Sequence, residues 1–209
     1  MNVVLFGATG MIGSRVLNEL VSRGHKVTAA VRDPSRIPNN PAVKALQGDV
    51  LDASAVAEIV KGSDAVISAY SPGPQTPGVL VDATRSLISG LTQAGVKRLI
   101  EVGGAGSLFV APNVRLEDAP DFPAEYKPIA FPHTDALEVL RGSDLDWTYF
   151  SPAAIIQPGE RTGKFRLGED TLLVDEKGSS QISAEDYSIA LVDELENSRH
   201  IRKRFTIAY

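Results

Sequence analysis

Gly7, Gly10 and Gly13 stand close to the start of the chain, directly after the apolar run Val3-Val4-Leu5-Phe6. Ser14 to Arg23 follows with Val16, Leu17, Leu20 and Val21 spaced for one face of a helix. Strand, tight glycine turn and helix in that order bring backbone N–H groups and the positive end of a helix dipole to one point. That arrangement suits a diphosphate. Gly7 permits the turn, Gly10 lets backbone approach the phosphates, and Gly13 lets helix and strand pack closely. Thr9, Met11 and Ile12 complete the turn. Glycine spacing alone is a weak signal, and the flanking strand and helix supply the context it needs.

The elements that must position this turn alternate along the chain. Strands are expected at about 2–7, 26–32, 45–50, 64–70, 97–102, 146–150 and 204–209. Helices are expected at about 11–23, 53–61, 77–94, 132–142 and 184–197, with Asp52 capping the second and a Ser183/Asp186 capping box opening the last. Strands separated by helices of this length require crossover connections and a parallel sheet. The predicted fold is therefore α/β: a doubly wound, Rossmann-like parallel sheet with helices on both faces, formed as one domain over 1–209. Segment 103–130 breaks the alternation with Gly103, Gly104, Gly106 and several prolines, and long irregular stretches of this kind often carry function. Short strands are expected at 164–167 and 171–174, within a stretch, 151–181, that is a candidate small lobe on the substrate side.

Composition narrows the classes. The 209 residues are 43% hydrophobic and 22% charged, with a net charge of −5, the profile of a soluble globular domain. Nucleic acid is not expected as a partner, because phosphate binding needs clustered Lys and Arg. The one basic run, Arg199 to Arg204, reads as a solvated turn before the last strand. With no cysteine there is no disulfide and no thiol chemistry, and His25, His133 and His200 are too scattered to suggest a metal site. No stretch approaches the roughly 18 apolar residues of a membrane span, and a strand beginning at residue 2 or 3 leaves no room for a leader, so a cytoplasmic location is expected. No residue pattern assigns an oligomeric state.

Gly7-Ala-Thr-Gly-Met-Ile-Gly13, Val31-Arg-Asp-Pro-Ser-Arg36, Gly48-Asp-Val50 and Asp146-Trp-Thr-Tyr-Phe-Ser-Pro152 occur in this order. Together they resemble the atypical short-chain dehydrogenase/reductase group. The similarity is closest to NADH-flavin reductases and NmrA-like NAD(P)-binding proteins, more distant to flavin/biliverdin-IXβ reductase, and spans nearly the whole chain. The resemblance implies a nicotinamide dinucleotide cofactor. Strand 2 ends Ala29-Ala30-Val31-Arg32 without an acid, and Arg36 lies one turn further on; arginines here suit the 2′-phosphate of NADP(H), which is favoured over NAD(H). In the resembled reductases the matching pair clamps that phosphate. Asp33, about 20 residues past the turn, is the competing signal for NAD, or else a cap for its own Asp-Pro-Ser turn. The resemblance further places Asp49 and Val50 at the adenine, Ala69 and Tyr70 along the diphosphate and ribose, Gly103 and Gly104 close to the nicotinamide, and the loop at Pro152 against its carboxamide.

Ordinary short-chain dehydrogenases lower the pKa of a tyrosine with a lysine four residues later. None of the five tyrosines has Lys at that spacing, and Gly104 stands where the usual serine would be. Alcohol–ketone chemistry is thus disfavoured. Hydride transfer to a flavin or quinone asks only for stacking and alignment, with the proton drawn from water. Tyr70, Phe109, Phe131 and Pro152 suit a small planar or aromatic substrate. His133 matches a histidine of the resembled reductases and is a candidate to orient substrate or relay a proton, or else to cap its helix; Lys127 is a second candidate. Glu160 and Arg161 form either a polar substrate contact or a salt-bridged turn. The leading expectation is an NAD(P)H-dependent reductase of planar acceptors. An NmrA-like NADP(H) sensor with little turnover is the alternative, followed by a carbonyl or imine reductase using His133 as acid.

Overall fold

The computed structural model describes residues 1–73 and 75–209. The order is β1 (Asn2–Phe6), α1 (Met11–Ser22), β2 (Lys26–Val31), β3 (Val43–Gln47), α2 (Ala53–Val60), β4 (Ala65–Ser68), α3 (Val79–Ala94), β5 (Arg98–Val102), β6 (Phe109–Ala111), β7 (Val114–Arg115), α4 (Lys127–Arg141), β8 (Asp146–Ser151), β9 (Ile155–Gln157), β10 (Arg166–Gly168), β11 (Gln181–Ser183), α5 (Ala184–Asn197) and β12 (Lys203–Ala208). Eight strands form one sheet in the order β10-β12-β8-β5-β4-β1-β2-β3. All neighbours are parallel except the edge pair β10–β12. The chain winds outward from β1 through β2 to β3, then returns to lay β4 on the other side of β1. That reversal opens a crevice past the carboxyl ends of β1 and β4, where open α/β sheets take their ligands.

Alternation along the strands builds two cores, because successive side chains point to opposite faces. Val3 and Leu5 join Ile67, Ile100, Phe150 and Phe205 beneath α1 and α5. Val4 and Phe6 join Val66, Leu99, Trp147 and Tyr149 beneath α2, α3 and α4. Each fully buried Leu or Phe contributes about 1.5–3 kcal/mol of transfer free energy, so both helical layers are held chiefly by burial. On the first face Phe150 stacks between Tyr187 and Phe205 at ring separations of 4.1 and 3.9 Å.

Five local expectations are corrected. The third strand is 43–47, not 45–50. Helix α4 starts at Lys127 and keeps Pro132 inside it, at the loss of one bond to the Pro128 carbonyl. No strand forms at 171–174, where Thr171 makes a single bridge to Phe109. The capping box is half made: Ser183 Oγ accepts from the Asp186 amide at 3.0 Å, but the Asp186 carboxylate instead holds Thr162, Gly163 and Tyr209. Within 103–130, β6 and β7 form a hairpin and Glu117 anchors the segment to Thr134 of α4 at 2.8 Å. Within 151–181, β10 extends the main sheet and β9 pairs with β11. Arg204, in the basic run, is buried against Ser107 and Asp170 rather than solvated.

Candidate functional site

Two glycines of the turn after β1 are required by its backbone. Gly7 has φ 78°, and a β-carbon on it would collide with the Ala69 carbonyl. One on Gly13 would strike the Gly7 carbonyl. Gly10 is looser: a β-carbon there would meet nothing nearer than the Gly7 carbonyl oxygen, at 3.3 Å. It caps α1 without a side-chain hydrogen bond, so among the described residues no side chain satisfies the first-turn amides of Met11 and Ile12. Met11 itself is exposed and Ile12 packs on the core.

Gly7, Thr9, Gly10, Arg32, Arg36, Asp49, Val50, Ala69 and Tyr70 line one cleft of about 340 Å³ at the crevice. The ends of β1, β2, β3 and β4 thus bring together residues spread over the first third of the chain. Arg32 and Arg36 are exposed, and no acidic side chain among the described residues pairs with either. Asp33 caps the turn 34–36, its carboxyl held below the ordinary range by hydrogen bonds from Ser35. Asp49 accepts from the Leu51 amide at 3.0 Å through one oxygen only. Burial raises the Tyr70 hydroxyl above its usual pKa, opposed by the positive charge of Arg32.

At Ser71 this cleft meets a second one, about 190 Å³, lined also by Pro72, Gly73, Pro77, Leu80, Ile129 and His133. His133 lies inside α4 rather than at its start, so it caps nothing. Burial lowers its pKa to about 4 and keeps the ring neutral at neutral pH. Gly103 and Gly104 stand behind it. A β-carbon on Gly103 would enter the Tyr149 ring, and one on Gly104 would lie 2.9 Å from His133 Cβ and Cγ. Gly103 thus leaves room for the Tyr149 ring of β8 and Gly104 lets the chain after β5 approach α4, and neither lines either of these two clefts.

Tyr149 was missed by the sequence reading. Fully buried, it donates to the His133 carbonyl at 2.7 Å, accepts from the Gly104 amide at 3.2 Å, and lies 3.3 Å from His133 Nδ1. Beside it in register, Glu101 is buried with Thr84 donating to one oxygen at 2.7 Å and the other oxygen unpartnered. Desolvation pushes the Glu101 carboxyl up to about 7. The signals were present: Tyr149 sits in the Asp146–Pro152 run, and Glu101 is a lone acid in an apolar strand.

Other candidates lie elsewhere. Lys127 opens α4, about 9 Å along the axis from His133. It lines neither cleft, nor do Phe109, Phe131 and Pro152. Phe131 is exposed on α4, and Phe109 belongs to the hairpin. Pro152 is buried, with its carbonyl accepting from Thr206 at 3.4 Å. Arg161 pairs with Glu19 of α1 at 2.9 Å, an ion pair to another element rather than one within the turn, and Glu160 makes no salt bridge among the described residues.

Sheet order, glycine turn and crevice define a Rossmann-type nucleotide-binding protein. The chain belongs to the NAD(P)H-binding family, whose model matches residues 7–198. It is 44% identical over 211 residues to the uncharacterized protein YwnB of Bacillus subtilis (strain 168), covering 99% of this chain and 98% of that one. A solved structure from Burkholderia pseudomallei, provisionally named an exported protein, aligns over 100% of both chains with TM-score 0.93 and 50% identity. Another from Streptococcus pneumoniae, provisionally named an NADH-flavin reductase, covers 100% of this chain and 99% of its own with TM-score 0.90 and 37% identity. The atypical short-chain dehydrogenase/reductase resemblance and the doubly wound fold both hold. No helix among the described residues is long and apolar enough to cross a membrane.

Proposed function

We propose that this protein is an NAD(P)H-dependent reductase that passes a hydride to a flavin, quinone or similar planar acceptor, with NADPH preferred. The supporting observation is the pair of clefts meeting at Ser71: one ringed by the glycine turn and two unpaired arginines, the other mostly apolar and closed by a neutral histidine.

The residues present fit a dinucleotide. The cradle at Gly10 is one a larger side chain would fill, and the uncapped amides of Met11 and Ile12 are donors of the kind a diphosphate satisfies. Thr9 borders them. Arg32 and Arg36 would hold the 2′-phosphate, Asp49 and Val50 the adenine, and Ala69 and Tyr70 the path between. Gly103 and Gly104, behind His133, and Pro152, after β8, would flank the nicotinamide end. When bound, the reduced nicotinamide supplies a proton and two electrons as hydride. The chain's own groups align the acceptor and exclude bulk water on one side, while the acceptor's second proton comes from solvent. A carbonyl needs an acid at its oxygen, and burial disfavours the imidazolium form of His133 that would supply it.

NADPH and NADH oxidation measured with riboflavin, a benzoquinone and an aldehyde tests this reading. Turnover with flavin or quinone and none with aldehyde is expected. Preferred aldehyde reduction overturns it, and tight NADPH binding without turnover of any acceptor points to the sensor instead.

A further inference from the structure

The Tyr149 hydroxyl has one proton and three neighbours within hydrogen-bonding reach. The His133 carbonyl lies at 2.7 Å, the Gly104 amide at 3.2 Å and His133 Nδ1 at 3.3 Å. The shortest contact is to an oxygen that can only accept, so the hydroxyl proton is committed there. The Gly104 amide can only donate, and takes one lone pair. The contact with Nδ1 is then a hydrogen bond only if Nδ1 carries the proton and donates to the remaining lone pair. A neutral imidazole with its proton on Nδ1 has a bare lone pair on Nε2. Burial, which disfavours the imidazolium, keeps the ring in this neutral form.

The ring's other contacts fix where that lone pair points. Cγ and Cδ2 pack against Gly104, and Nδ1 faces the interior at Tyr149. The Cε1–Nε2 edge is what remains for the cleft that His133 shares with Ser71, Pro77, Leu80 and Ile129. We infer that Tyr149 is a positioning residue that sets the His133 tautomer, and that His133 Nε2 is a hydrogen-bond acceptor selecting hydride acceptors with an N–H or O–H donor on the ring edge. This deepens the reductase reading and rests on it. It favours an isoalloxazine, which carries an imide N–H, over a benzoquinone, whose ring edge carries acceptors only. Lys127 and Tyr126 take no part in it.

Two measurements on the full chain test it. Long-range proton–nitrogen NMR at pH 7 reads the tautomer directly, and only three histidines need assigning. The expected spectrum has His133 protonated on Nδ1, moving toward a tautomer mixture in Tyr149→Phe. A native His133 protonated on Nε2, or on both nitrogens, overturns the inference, whether or not the variant folds. The second compares riboflavin with N3-methylriboflavin as acceptor. KM is expected to rise about tenfold on methylation in the native protein, the worth of one lost hydrogen bond, and the ratio to fall toward one in His133→Ala. An unchanged ratio in His133→Ala overturns the acceptor role. Failure to reduce any flavin is the separate failure of the reductase reading, and the NMR result then decides the tautomer alone.

Discussion

One oxygen of the Asp33 carboxylate accepts both the amide and the hydroxyl of Ser35, at 3.1 and 2.6 Å. The residue with the sequence position of an NAD-selecting acid is therefore engaged in its own turn, while the neighbouring Arg32 and Arg36 are unpaired. A charge-assisted contact to phosphate is worth roughly 1.5–3 kcal/mol. Arg32→Ala is expected to weaken NADPH binding about tenfold or more and leave NADH nearly unchanged, with Arg36→Ala acting in the same direction. Calorimetric titration of both cofactors checks this. Equal native affinities would return the choice to Asp33.

Gly7 and Gly10 separate folding from binding. Gly7→Ala forces a β-carbon into the Ala69 carbonyl at a left-handed φ, so both stability and cofactor affinity should fall, the former by about 1 kcal/mol or more. Gly10→Leu meets far less resistance and should keep the native unfolding midpoint while abolishing cofactor binding. Urea unfolding and calorimetry on the two variants give the contrast. A Gly10→Leu protein that binds NADPH normally would remove the turn from the site.

Glu101 gives a pH signature. Its carboxyl is raised from 4.5 to about 7 by burial, so between those values the folded protein holds a proton that the unfolded chain has released. Stability contributed by this group therefore falls as pH rises from 4.5 to 7 and is flat above. The lowered pKa of His133 acts with opposite sign over an overlapping window, so the native profile alone is not diagnostic. The difference between native and Glu101→Gln is diagnostic, since the amide oxygen still accepts from Thr84. It should grow across that window to about 3 kcal/mol in favour of the variant. Parallel unfolding free energies at pH 5 and pH 8 would show that Glu101 ionises freely.

Tyr126 is more than half exposed, in a short turn ahead of α4, and lines neither cleft. Tyr126→Phe should retain flavin reduction with unchanged kcat and KM. Loss of turnover with intact NADPH affinity would reinstate a tyrosine acid and, with it, a carbonyl substrate.

The parallel sheet and its nucleotide crevice were legible because the residues that make them are local in sequence. A glycine turn has a strand before it and a helix after it, and the apolar runs of β1 and β4 are uninterrupted. Arg32, Asp49 and Tyr70 follow closely on the ends of β2, β3 and β4, and Arg36 lies in the turn after β2, so the family resemblance could be laid onto them residue by residue. What could not be read was set by contacts between distant segments. Tyr149 meets His133 where Gly103 leaves room for the Tyr149 ring and Gly104 lets the chain after β5 approach α4. The start of α4 was misplaced because Pro132 argues locally against a helix interior, although Pro128 occupies the first turn, where proline is tolerated. Asp186 left its capping role for the same kind of reason: Thr162, Gly163 and Tyr209, all remote, supplied better donors.

The position of β12 between β8 and β10 constrains the order of assembly. β10 precedes β12 in the chain yet touches the sheet only through it, so β10 must wait until α5 has been made and β12 has docked. Arg204 on β12 grips Ser107 and Asp170, tying the segment after β5 to the same late event. The strands edging the crevice, β1 to β4, all precede this event in the chain, but α1 packs against α5, so the layer that carries the glycine turn is closed only by the same late half.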